Sequence, residues 1–258
     1  MAVSRADLAS SFDSVAAQYA TARPDYPPAL FTAVEELAGR ALAGAEVLDV
    51  GAGTGIATRL LAARGARVTA VEPGAAMAAE LSAALPAVPL VRAVGDALPF
   101  ADASADVVTY AQAWHWTDPR RSLPEAWRVL RPGGAVALWW NVPDLGVPWV
   151  AEQEARLAGR CPTHRAHGAP GAAAAPLAAA GFRARSEVLS WSRRITVEDR
   201  LRTLGSHSYL AVMGADAEPV LAAERAELLA RFPDGVLDEP YVVDLTVGVR
   251  AGTARPGA

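Results

Sequence analysis

The chain has 258 residues, of which 52% are hydrophobic, so it can bury the core of one α/β domain with an elaboration. The net charge of −4 gives no general attraction to nucleic acids or acidic membranes, and no apolar run reaches the roughly 18 residues of a membrane helix. The single cysteine, Cys161, excludes an internal disulfide and a multi-cysteine metal site, so we expect a cytoplasmic protein without a secretory leader. All 24 residues of the Lys+Arg count are arginines, which excludes Schiff-base chemistry and a phosphate-loop lysine.

Residues 1–43 predict two helices separated by a breaker. The segment 23–28 (Arg-Pro-Asp-Tyr-Pro-Pro) cannot continue a helix, because proline lacks the amide hydrogen and clashes with the preceding turn. A second helix is predicted over residues 29–39 and ends at Gly39, as many helices do. The helix before the breaker has one apolar face, formed by Phe12, Val15, Ala16 and Tyr19.

Residues 46–60 predict a short buried strand, a glycine turn and the start of a helix. The glycines let the backbone bend sharply and come within contact distance of a ligand, which a Cβ would prevent. The helix that begins at Ile56 directs unpaired amide N–H groups and the positive end of its dipole at the turn. The turn is therefore predicted to bind a cofactor through Asp49, Gly51, Ala52, Gly53 and Gly55.

A second strand, residues 67–71, ends at a carboxylate, Glu72, which can accept hydrogen bonds from both hydroxyls of a ribose. The glycine spacing distinguishes dinucleotide cofactors from S-adenosylmethionine. Counted from Gly51, the third glycine of the dinucleotide pattern G-x-G-x-x-G would fall on Ile56, whereas this chain has G-x-G-x-G after Asp49. A carboxylate beside the turn disfavours pyrophosphate and suits an amino-acid tail with a sulfonium. S-adenosylmethionine is therefore favoured, with another nucleotide cofactor or a merely structural turn as alternatives.

Strands and helices alternate through the middle of the chain. The predicted strands cover residues 46–50, 67–71, 88–94, 107–111 and 135–140. Helices are predicted to start near Ile56 and Gly74, and a third covers about 121–130. The segment Arg-Pro-Gly-Gly at 131–134 is predicted to be a connection. Such alternation predicts a parallel sheet with right-handed crossovers, which binds ligands at the carboxyl ends of its strands. Three further strand ends are thus candidate site segments: residues 96–98, 111–116 and 139–141.

The chain beyond residue 142 is less informative. Helices are predicted at 149–159 and 218–231, a shorter element at 196–204, and a loop with a helix in the alanine-rich stretch 166–180. Alternating segments at 182–195 and 241–250 predict the last two strands, and residues 251–258 are expected to be disordered. Ser206, His207 and Tyr209 lie between these strands and are either substrate-site residues or solvated loop residues.

Four motifs together resemble class I S-adenosylmethionine-dependent methyltransferases: F-x6-Y-x3-R-P-x-Y-P from Phe12, the D-x-G-x-G-x-G turn, Trp-His-Trp at 114–116 and the Arg-Pro-Gly-Gly connection. The first and third are similar to the subfamily that includes trans-aconitate methyltransferase. The resemblance implies an α/β, doubly wound, Rossmann-like fold with a seven-stranded, mostly parallel sheet closed by an antiparallel hairpin. It also implies a single domain, 1–258, with an N-terminal helical lid (1–43), a cofactor-binding core (44–142) and a substrate-side insertion with the closing strands (143–258).

The same resemblance implies roles for individual residues. Tyr19 and Arg23 would sit over the methionine end of the cofactor, with Arg23 as a candidate carboxylate clamp. Asp96 would accept a hydrogen bond from the exocyclic amine of adenine. The other implied cofactor contacts are Glu72, Pro73, Met77, Ala97, Leu98, Ala111, Gln112, Ala113 and Trp116. The acceptor would lie against Trp114, His115, Trp140, Asn141, Ser206, His207 and Tyr209.

The predicted reaction is the metal-free transfer of a methyl group to a small molecule, with a carboxylate or hydroxyl oxygen as the favoured acceptor and nitrogen or carbon as alternatives. Residues 113–116 lack the N-P-P-Y element of nucleic-acid adenine methylation and the carboxylate–amide cluster of metal-assisted catechol methylation. A carboxylate acceptor needs no base, whereas a phenol or amine would use His115, which is otherwise a structural residue between two tryptophans. A non-catalytic cofactor-binding protein is a second hypothesis, and an NAD-dependent oxidoreductase, disfavoured by Ile56, is a third.

Overall fold

The structure is a computed structural model that describes residues 23–164 and 167–252, and its elements are numbered here within those ranges. The helices are α1 (Pro28–Ala38), α2 (Ile56–Ala63), α3 (Ala75–Ala84), α4 (Pro119–Val129), α5 (Pro148–Arg160), α6 (Ala174–Ala179), α7 (Val197–Gly205), α8 (Ser208–Ala211) and α9 (Ala217–Arg231). The strands are β1 (Glu46–Val50), β2 (Arg67–Val71), β3 (Leu90–Val91), β4 (Ala105–Ala111), β5 (Leu130–Pro143), β6 (Phe182–Thr196) and β7 (Val236–Arg250). Two short 3₁₀ turns cover Trp114–Trp116 and Gly214–Asp216.

The strands form one seven-stranded sheet in the order β3-β2-β1-β4-β5-β7-β6. β1 pairs in parallel with β2 on one side and with β4 on the other, and the pairs β2–β3 and β4–β5 are parallel as well. The chain thus leaves β1 in one direction along the sheet and returns to its other side at β4. This reversal between β1 and β4 is the place where doubly wound sheets bind ligands, and the predicted fold class is confirmed.

The described residues form two compact units. The larger, here the sheet unit, comprises Asp25–Asn141, Ala169–Leu189 and the chain from Val243. The smaller, here the helical unit, comprises Val142–Gly168, Ser190–Val242 and the residues before Asp25. Within residues 23–164 and 167–252, none of the helices has the length and apolar composition needed to cross a membrane.

The predicted third strand is much shorter in the structure than the sequence indicates. Residues 88–94 were expected to be extended, but only Leu90 and Val91 pair with a neighbour, opposite Ala70 and Val71 of β2. β3 is at the edge of the sheet, and Val94 is exposed, so apolar composition there does not mark a buried strand. The prediction failed because an apolar run carries no information about which neighbour it can pair with.

The predicted fifth strand is longer than expected and includes the Arg-Pro-Gly-Gly connection. Ala105 of β4 pairs with Leu130, and two residues later Val107 pairs with Ala135, so the residues between them make an excursion from the ladder. Gly133, with φ of +78°, adopts the left-handed conformation that this excursion requires. The connection is therefore a bulge within β5 and not a loop that precedes it.

The helical unit has its own apolar core, supplied mainly by α5, α7 and α9 (Trp149, Val150, Leu157, Leu201, Leu204 and Leu228). A buried network of polar side chains crosses this core. Arg200, with only 2% of its surface exposed, donates to Oε1 of Gln153 and, at 2.8 Å, to Oε1 of Glu239. Glu224 is also buried and accepts hydrogen bonds from Gln153 and Arg156. Each buried charge thus has partners, which offsets the large cost of removing it from water.

Replacing Arg200 by alanine is expected to destabilise the protein by about 3 kcal/mol, because Gln153 and Glu239 would each lose a buried donor. Glu239 would keep its ion pair with Arg193. The matched control is Arg225→Ala, whose ion pair with Glu198 is exposed and should contribute no more than about 1 kcal/mol. Urea unfolding, followed by circular dichroism, measures both changes. Equal losses for the two variants would contradict a structural role for the buried network.

Candidate active site

Asp49 lies at the centre of the sheet unit with 0% of its surface exposed. Its Oδ2 accepts a 2.6 Å hydrogen bond from Oγ1 of Thr58 in α2, and its Oδ1 accepts a 2.7 Å bond from Oγ1 of Thr109 in β4. Burial raises the pKa of Asp49 above its ordinary value, although both hydroxyl bonds act in the opposite direction. Through these two bonds Asp49 joins β1 to α2 and β4, and its predicted contact with the cofactor stays a prediction.

The three glycines of the turn are required for two different reasons. A Cβ on Gly51 would lie 2.5 Å from Cβ of Ala113, and a Cβ on Gly55 would lie about 3 Å from side chains at the end of α3. Gly53, with φ of +56°, would place a Cβ in open space with nothing within 4 Å. Gly51 and Gly55 therefore permit close packing, while Gly53 alone presents open backbone to the crevice.

Glu72, at the end of β2, is held against the glycine turn and has only 7% of its surface exposed. Its Oε2 accepts a 2.8 Å hydrogen bond from the amide of Gly53, and its Oε1 accepts a 2.7 Å bond from the amide of Gly74. Both carboxylate oxygens of Glu72 thus accept hydrogen bonds from backbone amides, out of the roughly four lone-pair sites that a carboxylate has. The structure thus joins the turn and the predicted ribose acid through a direct contact.

The loop that contains Asp96, Ala97 and Leu98 is held by α4. Leu98 donates its amide to Oε2 of Glu125 at 2.7 Å and accepts a 2.8 Å bond from Arg128 on its carbonyl oxygen. Oδ1 of Asp96 accepts from the amide of Asp118, just before α4, at 3.0 Å. The hydrogen bonds from Arg128 hold the pKa of Glu125 below its usual range, so Glu125 is a carboxylate acceptor.

Glu125 and Arg128 were not among the predicted site residues. They are three positions apart on α4, a spacing that places two side chains on one helical face, and they form an ion pair at 2.8 Å. The sequence signal was therefore present as a charged pair. The spacing does not show how α4 packs. It therefore could not predict that the pair binds the backbone of a loop about 30 residues earlier.

Backbone strain marks the carboxyl end of β4. Gln112 follows the last residue of the strand, Ala111, and has a φ of +57°, a conformation that is uncommon for residues other than glycine. Its amide donates to the carbonyl of Trp139 at 2.9 Å, and its Nε2 donates to the carbonyl of Asn141 at 3.1 Å. Strained residues of this kind cluster at functional sites, where the surrounding structure enforces them.

The segment Trp114–Trp116 forms a 3₁₀ turn after this strained residue and meets the end of β5. Trp140 donates from Nε1 to Nδ1 of His115 at 3.1 Å, and the rings of Trp114 and Trp140 pack edge to face with centroids 6.3 Å apart. The ring of His115 also lies 4.6 Å from that of Trp116. Four of the predicted aromatic site residues are therefore brought into one cluster, here the aromatic cluster: Trp114, His115, Trp116 and Trp140.

Other predicted cofactor residues are placed differently. The side chains of Ala52 and Met77 are buried in the sheet unit, and their contact with the cofactor stays a prediction. Pro73 is exposed, and its carbonyl accepts a hydrogen bond from Arg92. Tyr19 lies outside the described residues.

Arg23 and the three candidates near residue 207 lie together in the helical unit. Arg23 donates to the carbonyl of Ser206 at 3.2 Å and to Nε2 of His207 at 3.3 Å. Burial, followed by the positive charges of Arg23 and Arg200, holds the pKa of His207 well below its ordinary value, so the ring is neutral. Tyr209 packs edge to face on His207 at 5.1 Å, whereas the hydroxyl of Ser206 is buried and donates to the carbonyl of Thr203.

Comparisons with known proteins identify the family of this chain. A family model described as a methyltransferase domain matches residues 48–138, which include the turn, Glu72 and the aromatic residues up to Trp116. A protein of Mycobacterium tuberculosis named an uncharacterized methyltransferase is 36% identical over 258 residues, with 98% of this chain and 100% of the relative covered. The chain belongs to the class I S-adenosylmethionine-dependent methyltransferases.

Two further similarities bear on this methyltransferase. A solved structure titled as a putative type II methyltransferase from Anaeromyxobacter dehalogenans superimposes with a TM-score of 0.67 at 28% identity and covers 90% of this chain and 99% of that one. A malonyl-[acyl-carrier protein] O-methyltransferase from Enterobacter lignolyticus is 36% identical over 121 residues, which are 45% of this chain and 48% of the relative.

The residues present fit the S-adenosylmethionine that membership of this family implies. Gly53 leaves open the space that a side chain would fill, and Glu72 stands beside it at the end of β2. In the described part of the chain, the buried Oγ1 of Thr54 has no hydrogen-bond partner, as expected of a group in the turn that awaits a polar ligand. The cofactor would supply a methyl group activated by a sulfonium.

Replacing Glu72 by glutamine is expected to weaken S-adenosylhomocysteine binding roughly tenfold or more. The amide nitrogen of glutamine cannot accept a hydrogen bond, and each hydrogen bond to a charged group contributes about 1.5–3 kcal/mol. Isothermal titration calorimetry measures the dissociation constant. Glu46→Gln is the matched control, since Glu46 begins β1 and pairs with Arg67 at the opposite end of the sheet. An unchanged constant in Glu72→Gln would remove Glu72 from the cofactor site.

Replacing Glu125 by glutamine is expected to weaken binding about fivefold to tenfold, because one charged hydrogen bond to the loop at Leu98 is weakened. Selectivity distinguishes a loss of loop positioning from general destabilisation. The preference for S-adenosylhomocysteine over its inosine analogue, which lacks the exocyclic amine, should decrease. Asp102→Asn is the control, since Asp102 also pairs with Arg128 but is largely exposed. Selectivity that stays at the level of the unmodified protein would show that the Glu125 contact does not position this loop.

Proposed function

We propose that the protein transfers the methyl group of S-adenosylmethionine to an oxygen atom of a small molecule, a carboxylate or a hydroxyl, by metal-independent in-line displacement. The observation that carries this proposal is how closely Ala113 approaches Gly51 of the cofactor turn, which leaves no room for a Cβ on Gly51. The aromatic cluster follows Ala113 directly in the chain. An aromatic surface beside the cofactor attracts a sulfonium through cation–π interaction and suits a flat or apolar acceptor.

Two observations favour oxygen over the alternatives of nitrogen and carbon. The relative from Enterobacter lignolyticus carries the name of an O-methyltransferase, and its match spans about half of each chain. The motif of the lid and the Trp-His-Trp segment resemble the subfamily of trans-aconitate methyltransferase. Both are analogies at the level of the family, and the acceptor screen described below tests them.

Catalysis in this proposal comes mainly from positioning. Gly53, Glu72 and the loop at 96–98 bind the cofactor, while Gln112 and Ala113 join this part of the site to the aromatic cluster. Holding two reactants in line can supply roughly 7–11 kcal/mol of the barrier. The roles predicted for Tyr19, Arg23, His207 and Tyr209 stay predictions. A small-molecule partner and a cytoplasmic location stay predictions.

The proposal is tested by ligand binding followed by an acceptor screen. Differential scanning fluorimetry should show stabilisation by S-adenosylmethionine and S-adenosylhomocysteine and none by NAD. A screen with methyl-labelled cofactor against matched panels of carboxylic acids, phenols, amines and activated carbon acids should then give label in oxygen acceptors. Label only in amines or carbon acids would overturn the choice of oxygen. Binding of the cofactor without any transfer would favour the second candidate, a non-catalytic cofactor-binding protein.

A further inference from the structure

The hydrogen bond between Trp140 and His115 determines which nitrogen of the histidine ring carries the proton. The donor is Nε1 of Trp140 and the acceptor is Nδ1 of His115, at 3.1 Å. An indole N–H can only donate, so Nδ1 must offer its lone pair. In the neutral ring, the proton therefore resides on Nε2.

The ring that accepts this bond is held from several directions. Trp140 is in β5 and His115 follows β4, so the bond connects the carboxyl ends of two neighbouring parallel strands. Trp140 is almost fully buried, and its N–H needs an acceptor there, whereas His115 is exposed. Ring contacts with Trp116 at 4.6 Å and Trp140 at 6.5 Å further restrict the orientation of the imidazole.

We propose that Trp140 fixes His115 as a hydrogen-bond donor, so that His115 orients the acceptor oxygen through Nε2–H and does not remove its proton. A general base needs a lone pair. The lone pair of Nδ1 is used by Trp140, and Nε2 carries a proton whatever else contacts the ring. Trp140 is then a positioning residue, since it acts on the acceptor only through His115. The inference rests on the proposed function, because it gives His115 a role towards the acceptor of that reaction.

A consequence is that the acceptor has to arrive without the proton that a base would remove. In such a step, the lone pair of an anionic oxygen forms the new C–O bond while the S–C bond breaks and its electron pair returns to sulfur. No proton moves to the protein. Acceptors that carry their negative charge at neutral pH should therefore be methylated in preference to those that need a base, such as phenols.

The position of the proton can be measured without any methyl transfer. In protein labelled with ¹⁵N-histidine, long-range ¹⁵N–¹H correlation spectra distinguish a protonated from an unprotonated ring nitrogen. The chain has four histidines, and the signals of His115 are assigned by their loss in His115→Gln. We expect an unprotonated Nδ1 and a protonated Nε2 for His115, and a shift towards a mixture of both tautomers in Trp140→Phe. A protonated Nδ1 in the unmodified protein would overturn the proposal even if methyl transfer is confirmed.

Kinetics with the acceptor found by the screen provide an independent arm. Gln has an amide N–H that can take the place of Nε2–H and has no basic nitrogen. A donor role predicts that His115→Gln keeps kcat/KM within about fivefold, whereas His115→Ala loses roughly tenfold to a hundredfold. A base predicts that both variants lose a comparable factor, of order 10²–10⁴. His167→Gln, at an exposed histidine of the helical unit, is the matched control and should leave kcat/KM unchanged. Equal losses in the first two variants would overturn the donor role and leave the proposed reaction standing.

Discussion

The buried carboxylate of Asp49 is the interaction on which the geometry of this methyltransferase depends. A carboxylate removed from water loses several kcal/mol of hydration, and here hydrogen bonds from two threonine hydroxyls offset part of that cost. The two donors come from α2 and β4. Hydrogen bonding to Asp49 therefore holds α2, which follows the glycine turn, and β4 in one arrangement. Asp49 itself is in β1, which pairs with β4, so one polar requirement holds β1, α2 and β4 together beside the crevice.

The other parts of the candidate site are extensions of this arrangement. Glu72 connects the turn to the loop after β2, and the pair Glu125–Arg128 connects α4 to the loop at Leu98. In each case a charged side chain forms hydrogen bonds with backbone groups of a loop, which have no partners in a helix or sheet. Buried or half-buried loops require such bonds. Charged side chains beside the crevice thus hold backbone in place, and a ligand meets a surface that is already organised.

The aromatic cluster follows a strained residue, Gln112, whose conformation is enforced by bonds to β5. The same strand supplies Trp140, whose indole N–H donates a hydrogen bond to His115. A single strand therefore both enforces the bend after β4 and orients the imidazole. This explains why a histidine on an exposed turn keeps a defined orientation, which an exposed side chain does not have by itself.

The sequence by itself determined the bounds of β1 and β2, the position of the glycine turn and the alternation of strands and helices that predicts a parallel sheet, because apolar periodicity and glycine spacing are local properties. The seven-stranded fold class was implied by the resemblance of its motifs to class I methyltransferases. The sequence also identified the residues of the aromatic cluster, since the ends of parallel strands meet at one edge. Only the tertiary structure decided that Asp49 is buried, that β3 pairs over two residues, that Glu125 and Arg128 hold the loop at Leu98, and that Nδ1 of His115 accepts from Trp140. These facts depend on contacts between residues far apart in the chain, and the partner of a hydrogen bond is chosen by packing, which no local pattern encodes.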